Sequence, residues 1–423
     1  MLEVNKIKNN PKVIIDSLSI RGCNYSNLIN DIIKLNKDRV ECQKILDAKL
    51  QQSNNLAKQI GQIAKEQKGD IPKHLLSQAT ELRESAKEHE GNLKMIKENI
   101  QDILVQIPNI PNKIVTPGKS EQDNVVLFEW GVIDSNQERV PHWEIATKYN
   151  IIDFEAGAKI TGSGFPLYKG KGAQLQRALI NFFIDYNTKA GYEEYIPPFF
   201  VNYQSAFNTG QLPDKEGMMY HMNDDNLFAI PTAEVPITNI FREKRFRDSE
   251  LPIKCTAYSP CFRREAGSYG KEVRGLNRLH QFDKVEIVQI TTQDKSYQVL
   301  DEMVEHISHL LKVLKLKFRI VKLCGGDLGF TSSLTYDFEV FSAGQKKWLE
   351  VSSVSNFETF QSNRLNLKYK DSKKNETLLC HTLNGSSLAL PRIMAALLEN
   401  NQSKSGVIIP DALSKYLDFN KLT

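Results

Sequence analysis

Residues Ser259–Ile290, SPCFRREAGSYGKEVRGLNRLHQFDKVEIVQI, carry charged side chains where a β-hairpin is ordinarily half buried. Apolar and polar residues alternate on both sides of a glycine-containing segment, which predicts two strands joined by a long polar loop. Residues two apart share a face of a strand, so Arg263 and Glu265 point the same way on the first strand. The corresponding face of the second strand carries Phe282, Lys284 and Glu286.

If both rows face one cleft, that cleft suits a phosphate-bearing ligand with a stackable base and a second, cationic ligand. The alternative is a surface hairpin with solvated charges. The loop is longer than an economical hairpin turn, which favours the cleft.

The composition indicates an ordinary globular protein. The chain has 423 residues, 40% hydrophobic and 25% charged, which is enough for a sizeable core and for two or three domains. The net charge of +4 permits a nucleic-acid partner without requiring one. Six cysteines lie scattered without a CxxC pair, so we expect a reducing compartment and no structural zinc. No long apolar run and no apolar signal core occur, so we expect no membrane association and a cytoplasmic location.

The first hundred residues show a coiled-coil pattern. Apolar residues recur at alternating spacings of three and four from Leu28 to Ile63 and again, more regularly, from Leu75 to Ile103. Glycine and proline interrupt the pattern at residues 68–72, which predicts two antiparallel helices. At about 1.5 Å per residue such helices reach roughly 55–60 Å, so we expect a projecting arm. Its lysines and arginines form a solvated face or track a nucleic-acid backbone.

After the prolines at 108 and 111 the pattern becomes mixed. Amphipathic helices are predicted at Pro141–Tyr149, Ala173–Ala190, Lys295–Val313 and Ile393–Asn400. Strands are predicted at Phe318–Leu323, Thr335–Phe341 and Lys347–Ser352. On the last of these strands, Glu350 and Ser352 are expected to share a face.

Five segments, taken in order, resemble the class II aminoacyl-tRNA synthetases in the bacterial seryl form. They are the helical arm, the helix and proline-broken strand at 173–200 (motif 1), Thr232-Ala233-Glu234, FRREAGSYGKEVRGLNRLHQFDKVE (motif 2) and TLNGSSLALPR at 382–392 (motif 3). The resemblance covers essentially the whole chain. It departs from the seryl pattern at Arg264, Ser387 and Pro391, and none of these changes removes a charge that the chemistry needs.

The resemblance implies an α+β fold: an antiparallel β-sheet core flanked by helices and preceded by a long antiparallel helical hairpin. It implies a tRNA-binding domain at residues 1–110, with its coiled-coil arm at about 27–105, and a catalytic domain at 111–423. It further implies a homodimer formed through the motif 1 region.

The implied reaction is the ATP-dependent attachment of L-serine to tRNA(Ser) through a seryl-adenylate, with Mg²⁺ on the phosphates. Whether tRNA(Sec) is a further acceptor stays open. Two alternatives remain: a ligase that charges another acceptor, although such ligases lack the long arm, and an inactive relative that binds RNA.

The resemblance also assigns residues to roles. The catalytic residues are Arg263, Arg392 and Glu350. The serine-binding residues are Thr232, Ala233, Glu234, Arg263, Glu286 and Ser386. The ATP-binding residues are Arg263, Arg264, Glu265, Leu279, Phe282, Glu350, Val351, Ser352, Ser353 and Arg392. Glu350 and Ser353 are the expected Mg²⁺ ligands, and Lys271 and Arg274 are expected to meet the tRNA end or to shield the site.

Overall fold

The computed structural model describes residues 1–66, 71–133, 138–265 and 274–423. These form two compact units, residues 1–19 with 23–108 and residues 20–22 with 109–423. Part of the predicted break at 68–72, and Lys271 in the motif 2 loop, lie outside the described residues.

The first unit is helical, and the predicted hairpin is confirmed. Its helices are α1 (Val4–Asn9), α2 (Pro11–Ser19), α3 (Ser26–Glu66) and α4 (Lys73–Leu104). Helices α3 and α4 pack against each other, with Cys42 and Leu46 of α3 facing Ala86 and Leu93 of α4. These four residues belong to the predicted seam, so the alternating apolar spacing placed the helix contact correctly.

The second unit contains the remaining elements. Its helices are α5 (His142–Lys148), α6 (Phe154–Ile160), α7 (Lys171–Lys189), α8 (Tyr203–Thr209), α9 (Glu234–Asn239), α10 (Ser296–Val313), α11 (Phe360–Leu365) and α12 (Leu390–Asn400). Its first sixteen strands are β1 (Val125–Trp130), β2 (Ile152–Asp153), β3 (Leu167–Tyr168), β4 (Glu193–Tyr195), β5 (Phe200–Asn202), β6 (His221–Met222), β7 (Leu227–Ala229), β8 (Arg245–Arg247), β9 (Ile253–Phe262), β10 (Gln281–Thr291), β11 (Phe318–Lys322), β12 (Leu334–Ser342), β13 (Lys347–Asn356), β14 (Lys368–Asp371), β15 (Glu376–Leu379) and β16 (His381–Ala389). Three short strands follow near the C-terminus, β17 (Gln402–Ser403), β18 (Gly406–Ile408) and β19 (Lys421–Leu422).

An eight-stranded sheet organises this unit, in the order β1-β11-β12-β13-β16-β10-β9-β4. Neighbouring strands are antiparallel except β4, which runs parallel to β9 at one edge. Helices α7, α10 and α12 pack against the sheet and bury the larger core. The predicted class II architecture is therefore confirmed.

The alternation along β10 decides where the functional residues lie. Val285 and Ile287 point into the core beneath the helices, whereas Val288 and Ile290 contribute to a second core around α9. Lys284 and Glu286 are separated from Val288 by an even number of residues, so all three lie on the same face of the strand. This face is opposite the one that packs against the larger core. That face is where the candidate site is built.

The strand after α7 is broken by Pro197 and Pro198 into β4 and β5, as predicted. One local expectation needs correction. On β13, Glu350 and Ser352 do not share a face, because a bulge places Ser352 opposite Phe338 and Glu350 opposite Glu339. Among the helices that the structure describes, none is long and apolar enough to cross a membrane.

Candidate active site

A buried carboxylate on β10 forms the centre of a polar pocket. The residue Glu286 is 1% exposed. Its Oε2 atom accepts a hydrogen bond from the Thr232 hydroxyl at 2.6 Å and forms an ion pair with the Lys284 ammonium. Its Oε1 atom accepts a hydrogen bond from Asn384 Nδ2 at 3.2 Å. The lysine and the two neutral donors keep this buried carboxylate compensated.

A second buried carboxylate, Glu234, shares the Asn384 amide at 2.9 Å and accepts a hydrogen bond from Gln361 Nε2 at 2.6 Å. Burial, together with the neighbouring charge of Glu286, raises the pKa of Glu234 to about 7. The Gln361 hydrogen bond and the charges of Lys284 and Arg263 act in the opposite direction. The pocket therefore holds two buried carboxylates, joined by the Asn384 amide.

Two features bring these side chains together: the register between β10 and β16, and the first residue of α9. Glu234 is the first residue of α9, and Glu286 lies directly opposite Ser386 of β16. Asn384 is two residues before Ser386 and so lies on the same face of that strand. Ala233 is completely buried in the core around α9, so its side chain is not part of the pocket wall.

Arg263 lies immediately beyond the end of β9. Its backbone N–H donates to the His280 carbonyl at 2.9 Å, which closes the mouth of the β9–β10 hairpin. Its guanidinium lies 5.2 Å from the ring centroid of Phe282. The Arg263 guanidinium and the Phe282 ring therefore lie together, as predicted. The prediction that Arg263 and Glu265 share a face of the first strand is wrong, because β9 ends at Phe262 and both residues lie in the loop beyond it.

The next two residues of motif 2 are arranged differently. Arg264 is exposed, and its backbone N–H donates to the Met218 carbonyl at 2.9 Å. Glu265 forms an ion pair with Arg278, on the opposite limb of the loop. Glu265 thus ties the two limbs together where they leave the sheet.

The other side of the cleft contains Glu350 and Arg392. Arg392, in the first turn of α12, donates from Nη1 to the Glu350 carbonyl at 2.6 Å, and the same nitrogen lies 3.5 Å from Glu350 Oε2. The Glu350 side chain is 49% exposed, and its Oε1 accepts the Ser353 hydroxyl at 3.2 Å. Desolvation raises the pKa of Glu350, but Arg392, Arg263 and Ser353 outweigh it, so the pKa lies below its ordinary value. The structure thus brings Arg263, Glu350 and Arg392 into one electrostatic group.

Three of the predicted ATP-binding residues have buried side chains. Leu279 and Val351 belong to the main core. The Ser352 hydroxyl donates to the Ser386 carbonyl at 2.6 Å and is 1% exposed. The side chains at these three positions are therefore not exposed to the cleft.

The residues around Glu350 fit a hard cation. Glu350 and Ser353 offer adjacent oxygens, and Asp337 lies opposite Ser353 across the strand pair. Among the described residues, the buried Asp337 Oδ1 has no hydrogen-bond partner. The same part of the chain holds no group of three or more His, Cys, Asp or Glu residues able to hold a metal ion. A magnesium ion here would therefore depend on phosphate and water oxygens as well, as it commonly does.

Three pocket residues were not predicted from the sequence: Lys284 as an ion-pair partner, Gln361 and Asn384. Strand periodicity could have found Lys284 and Asn384, because each lies two residues before a predicted site residue. No sequence signal points to Gln361, which comes from α11.

Arg274 stacks on Trp143, with its guanidinium 4.9 Å from the ring centroid.

Comparison with known proteins identifies the family of this chain. Residues 1–111 match the seryl-tRNA synthetase N-terminal domain, and residues 218–401 match the class II tRNA synthetase core domain (G, H, P, S and T). The serine–tRNA ligase of Salinibacter ruber is 43% identical and that of Thermodesulfovibrio yellowstonii 41%, with at least 99% of each chain covered. The crystal structure of seryl-tRNA synthetase from Pyrococcus horikoshii complexed with ATP superposes with a TM-score of 0.91 at 29% identity, covering 100% of this chain and 99% of that one. These matches cover the whole chain from the helical arm to motif 3, and the chain belongs to the seryl-tRNA synthetase family.

Proposed function

We propose that the protein joins L-serine to tRNA(Ser) at the expense of ATP, through a seryl-adenylate. The observation that carries this proposal is a buried two-carboxylate pocket that adjoins, through Arg263, a second group formed by Glu350 and Arg392. The carboxylate of serine is already ionised, so its attack on the α-phosphate needs no general base. The reaction needs alignment of the two substrates and stabilisation of negative charge, which arginines supply.

The pocket suits serine because serine carries one cation and one hydroxyl. Glu234, Glu286, Thr232 and Ser386 offer acceptors and hydroxyls within one buried space. Alanine would leave a buried acceptor unpaired, and such sites discriminate strongly. Threonine adds one methyl group, which a pocket usually rejects only about 10–200-fold, so threonine must be excluded by close packing.

The nucleotide side is assigned to Arg263, Arg392 and Phe282. A guanidinium offers two parallel donors to phosphate oxygens, so Arg263 would hold the α-phosphate and Arg392 the departing pyrophosphate. Phe282 would stack on adenine. Glu350 and Ser353 would hold Mg²⁺, which when bound neutralises phosphate charge.

The arm is assigned to RNA recognition. The first unit is a compact body with its own buried seam. We propose that residues of about 27–105 grip tRNA(Ser) through its shape and backbone, and that residues 111–423 perform the chemistry. We also propose that the protein acts in the cytoplasm.

We also propose a homodimer through the motif 1 region. Ile196 is 85% exposed and Phe200 49%, and both lie beside Ile240, which is 44% exposed. Such a cluster of exposed apolar side chains on one surface is typical of an interface. Replacing Ile196 and Phe200 by glutamate should shift the mass seen in analytical ultracentrifugation from two chains to one.

Serine-dependent exchange of labelled pyrophosphate into ATP tests the reaction. Exchange with another amino acid, but not with serine, would contradict the specificity, and exchange with no amino acid would favour an inactive RNA-binding relative. Deletion of Asn27–Val105 should spare this exchange and abolish tRNA charging. Charging that survives the deletion would refute the role of the arm.

A further inference from the structure

A buried histidine of α5 holds the returning limb of the motif 2 loop. His142 and its partner Glu399 have completely buried side chains. The Leu276 backbone N–H donates to His142 Nε2 at 2.8 Å, so this nitrogen is unprotonated. The ring proton therefore lies on Nδ1, which donates to Glu399 Oε1 at 2.7 Å. These two hydrogen bonds fix the ring and the limb in one arrangement.

Two further contacts pack the same limb against α5. Gly275 has a φ of +70°, and a Cβ atom added there would overlap His142 Nε2. The Arg274 guanidinium lies over the Trp143 ring at 4.9 Å. Residues 274–276 are thus held by two consecutive residues of α5, and residue 275 must be glycine for both conformational and steric reasons.

The limb in turn reaches the motif 3 arginine. The carbonyl of Asn277, the residue after Leu276, accepts a hydrogen bond from Arg392 Nε at 3.1 Å. The Asn277 side chain donates to Gln345 Oε1 at 2.8 Å, and Gln345 Nε2 donates to Glu399 Oε1 at 2.9 Å. Glu399 is therefore connected to Arg392 by two routes, one through His142 and one through Gln345.

Glu399 is itself held firmly. Its second oxygen accepts the Ser342 hydroxyl and the Gly344 backbone N–H, the latter at 3.1 Å. Burial raises the pKa of Glu399, but hydrogen bonds from His142 and Ser342 outweigh burial and keep the pKa below its ordinary value. An ionised Glu399 is the stronger acceptor for the His142 Nδ1 proton.

We propose that His142 and Glu399 are positioning residues for the activation reaction: they lock the Arg274–Asn277 limb and, through the Asn277 carbonyl, aim Arg392 at the triphosphate. Neither side chain touches substrate in this assignment. The proposal rests on the proposed function, since it needs Arg392 to bind ATP.

The kinetic experiment uses the full chain with His142→Phe, which keeps a ring but removes both polar contacts, and His142→Gln, which keeps an acceptor for the Leu276 N–H. His142→Phe should lower kcat of serine-dependent pyrophosphate exchange roughly tenfold or more and raise KM for ATP, with KM for serine within about twofold. His142→Gln should recover most of the loss. The control is His381→Phe, which removes another buried histidine, one bonded to Ser296 Oγ at 2.7 Å, and should leave KM for ATP unchanged.

A second measurement observes the limb directly. With Trp130 and Trp348 replaced by phenylalanine, Trp143 is the remaining tryptophan and reports on the docked limb. His142→Phe should shift its emission to longer wavelength and increase quenching by iodide, while His142→Gln and His381→Phe should not.

The proposal is overturned if His142→Phe leaves ATP kinetics unchanged, if KM for serine rises as much as KM for ATP, or if Trp143 emission does not move. A wild-type protein without serine-dependent exchange would instead refute the proposed function. The fluorescence comparison would then decide the limb contact alone.

Discussion

Glu286 and Glu350 are carboxylates of one cleft with opposite surroundings. Glu286 is 1% exposed and is held by an ammonium, a hydroxyl and an amide, whereas the Glu350 side chain is 49% exposed and lies beside arginines. On the proposed serine side, a desolvated network would reject a wrong amino acid by leaving a buried group unpaired. On the proposed ATP side, exposed charges would hold the phosphates and the metal at the surface of the sheet. We therefore expect recognition of serine to depend on buried hydrogen bonds, and binding of ATP to depend on exposed charges. Variants on the two sides of the cleft should affect KM for serine and KM for ATP separately.

The largest effect is expected from Lys284→Met. It leaves the buried Glu286 charge uncompensated, which typically costs about 3–5 kcal/mol. Serine-dependent exchange should show KM for serine raised on the order of 100-fold or more, with KM for ATP within about threefold. The half-buried Lys254 of the adjacent strand provides a matched control, Lys254→Met.

A double variant separates stability from recognition. Adding Glu286→Gln to Lys284→Met removes the uncompensated charge and should restore much of the lost thermal stability, without restoring serine affinity. Recovery of both properties would show that the ion pair has no role in recognition.

Glu350→Gln should act on the other side of the cleft. Losing one exposed charge should cost within about 0.5 kcal/mol of stability. Titration of exchange activity with MgCl₂ should show a higher Mg²⁺ requirement and kcat/KM for ATP lowered roughly 10–100-fold, with KM for serine unchanged. Glu339→Gln, which changes the residue opposite Glu350 on β12, is the control. An unchanged Mg²⁺ requirement would remove Glu350 from the metal site.

The raised pKa of Glu234 predicts a pH dependence of stability. Between its ordinary value of 4.5 and about 7, the folded protein keeps a proton on Glu234 that the unfolded chain has lost. The free energy of unfolding should therefore fall as pH rises through this window, by an amount on the order of 3 kcal/mol. Denaturant titrations from pH 4 to 8 should show this slope in the wild type and a flatter one in Glu234→Gln. Equal slopes would contradict the assignment.

The smallest effect is expected at Ser387, which stands where glycine is usual in the seryl pattern. It is completely buried, and its hydroxyl donates to Asn187 Oδ1 at 2.9 Å. Ser387→Gly should cost about 1–2 kcal/mol of stability through the lost hydrogen bond and the added backbone freedom. The kcat and KM values of pyrophosphate exchange should stay within about threefold of the wild type. A larger change would show that Ser387 contributes to the serine pocket.

Sequence patterns predicted the arm, the helices α5, α7, α10 and α12 and the site-bearing hairpin, because these elements follow spacings of two or of three and four residues. They did not predict α6, α8, α9 or α11. They failed where the chain departs from a regular period, as at the bulge that separates Glu350 from Ser352. They also failed for partners supplied from distant elements. Gln361 reaches Glu234 across 127 positions, and His142 reaches Leu276 across 134, and no local pattern encodes either pair.

Helix α12 carries Arg392 and Glu399 seven residues apart, which is about two turns of helix. One inserted or deleted residue between them would rotate one side chain relative to the other by about 100° and would break both connections at once. We therefore expect insertions and deletions to be excluded from residues 392–399 during evolution, even where single substitutions are tolerated. In this segment the number of residues between Arg392 and Glu399 is constrained. A deep insertion scan of the gene should show that the six intervening codons tolerate no change in number.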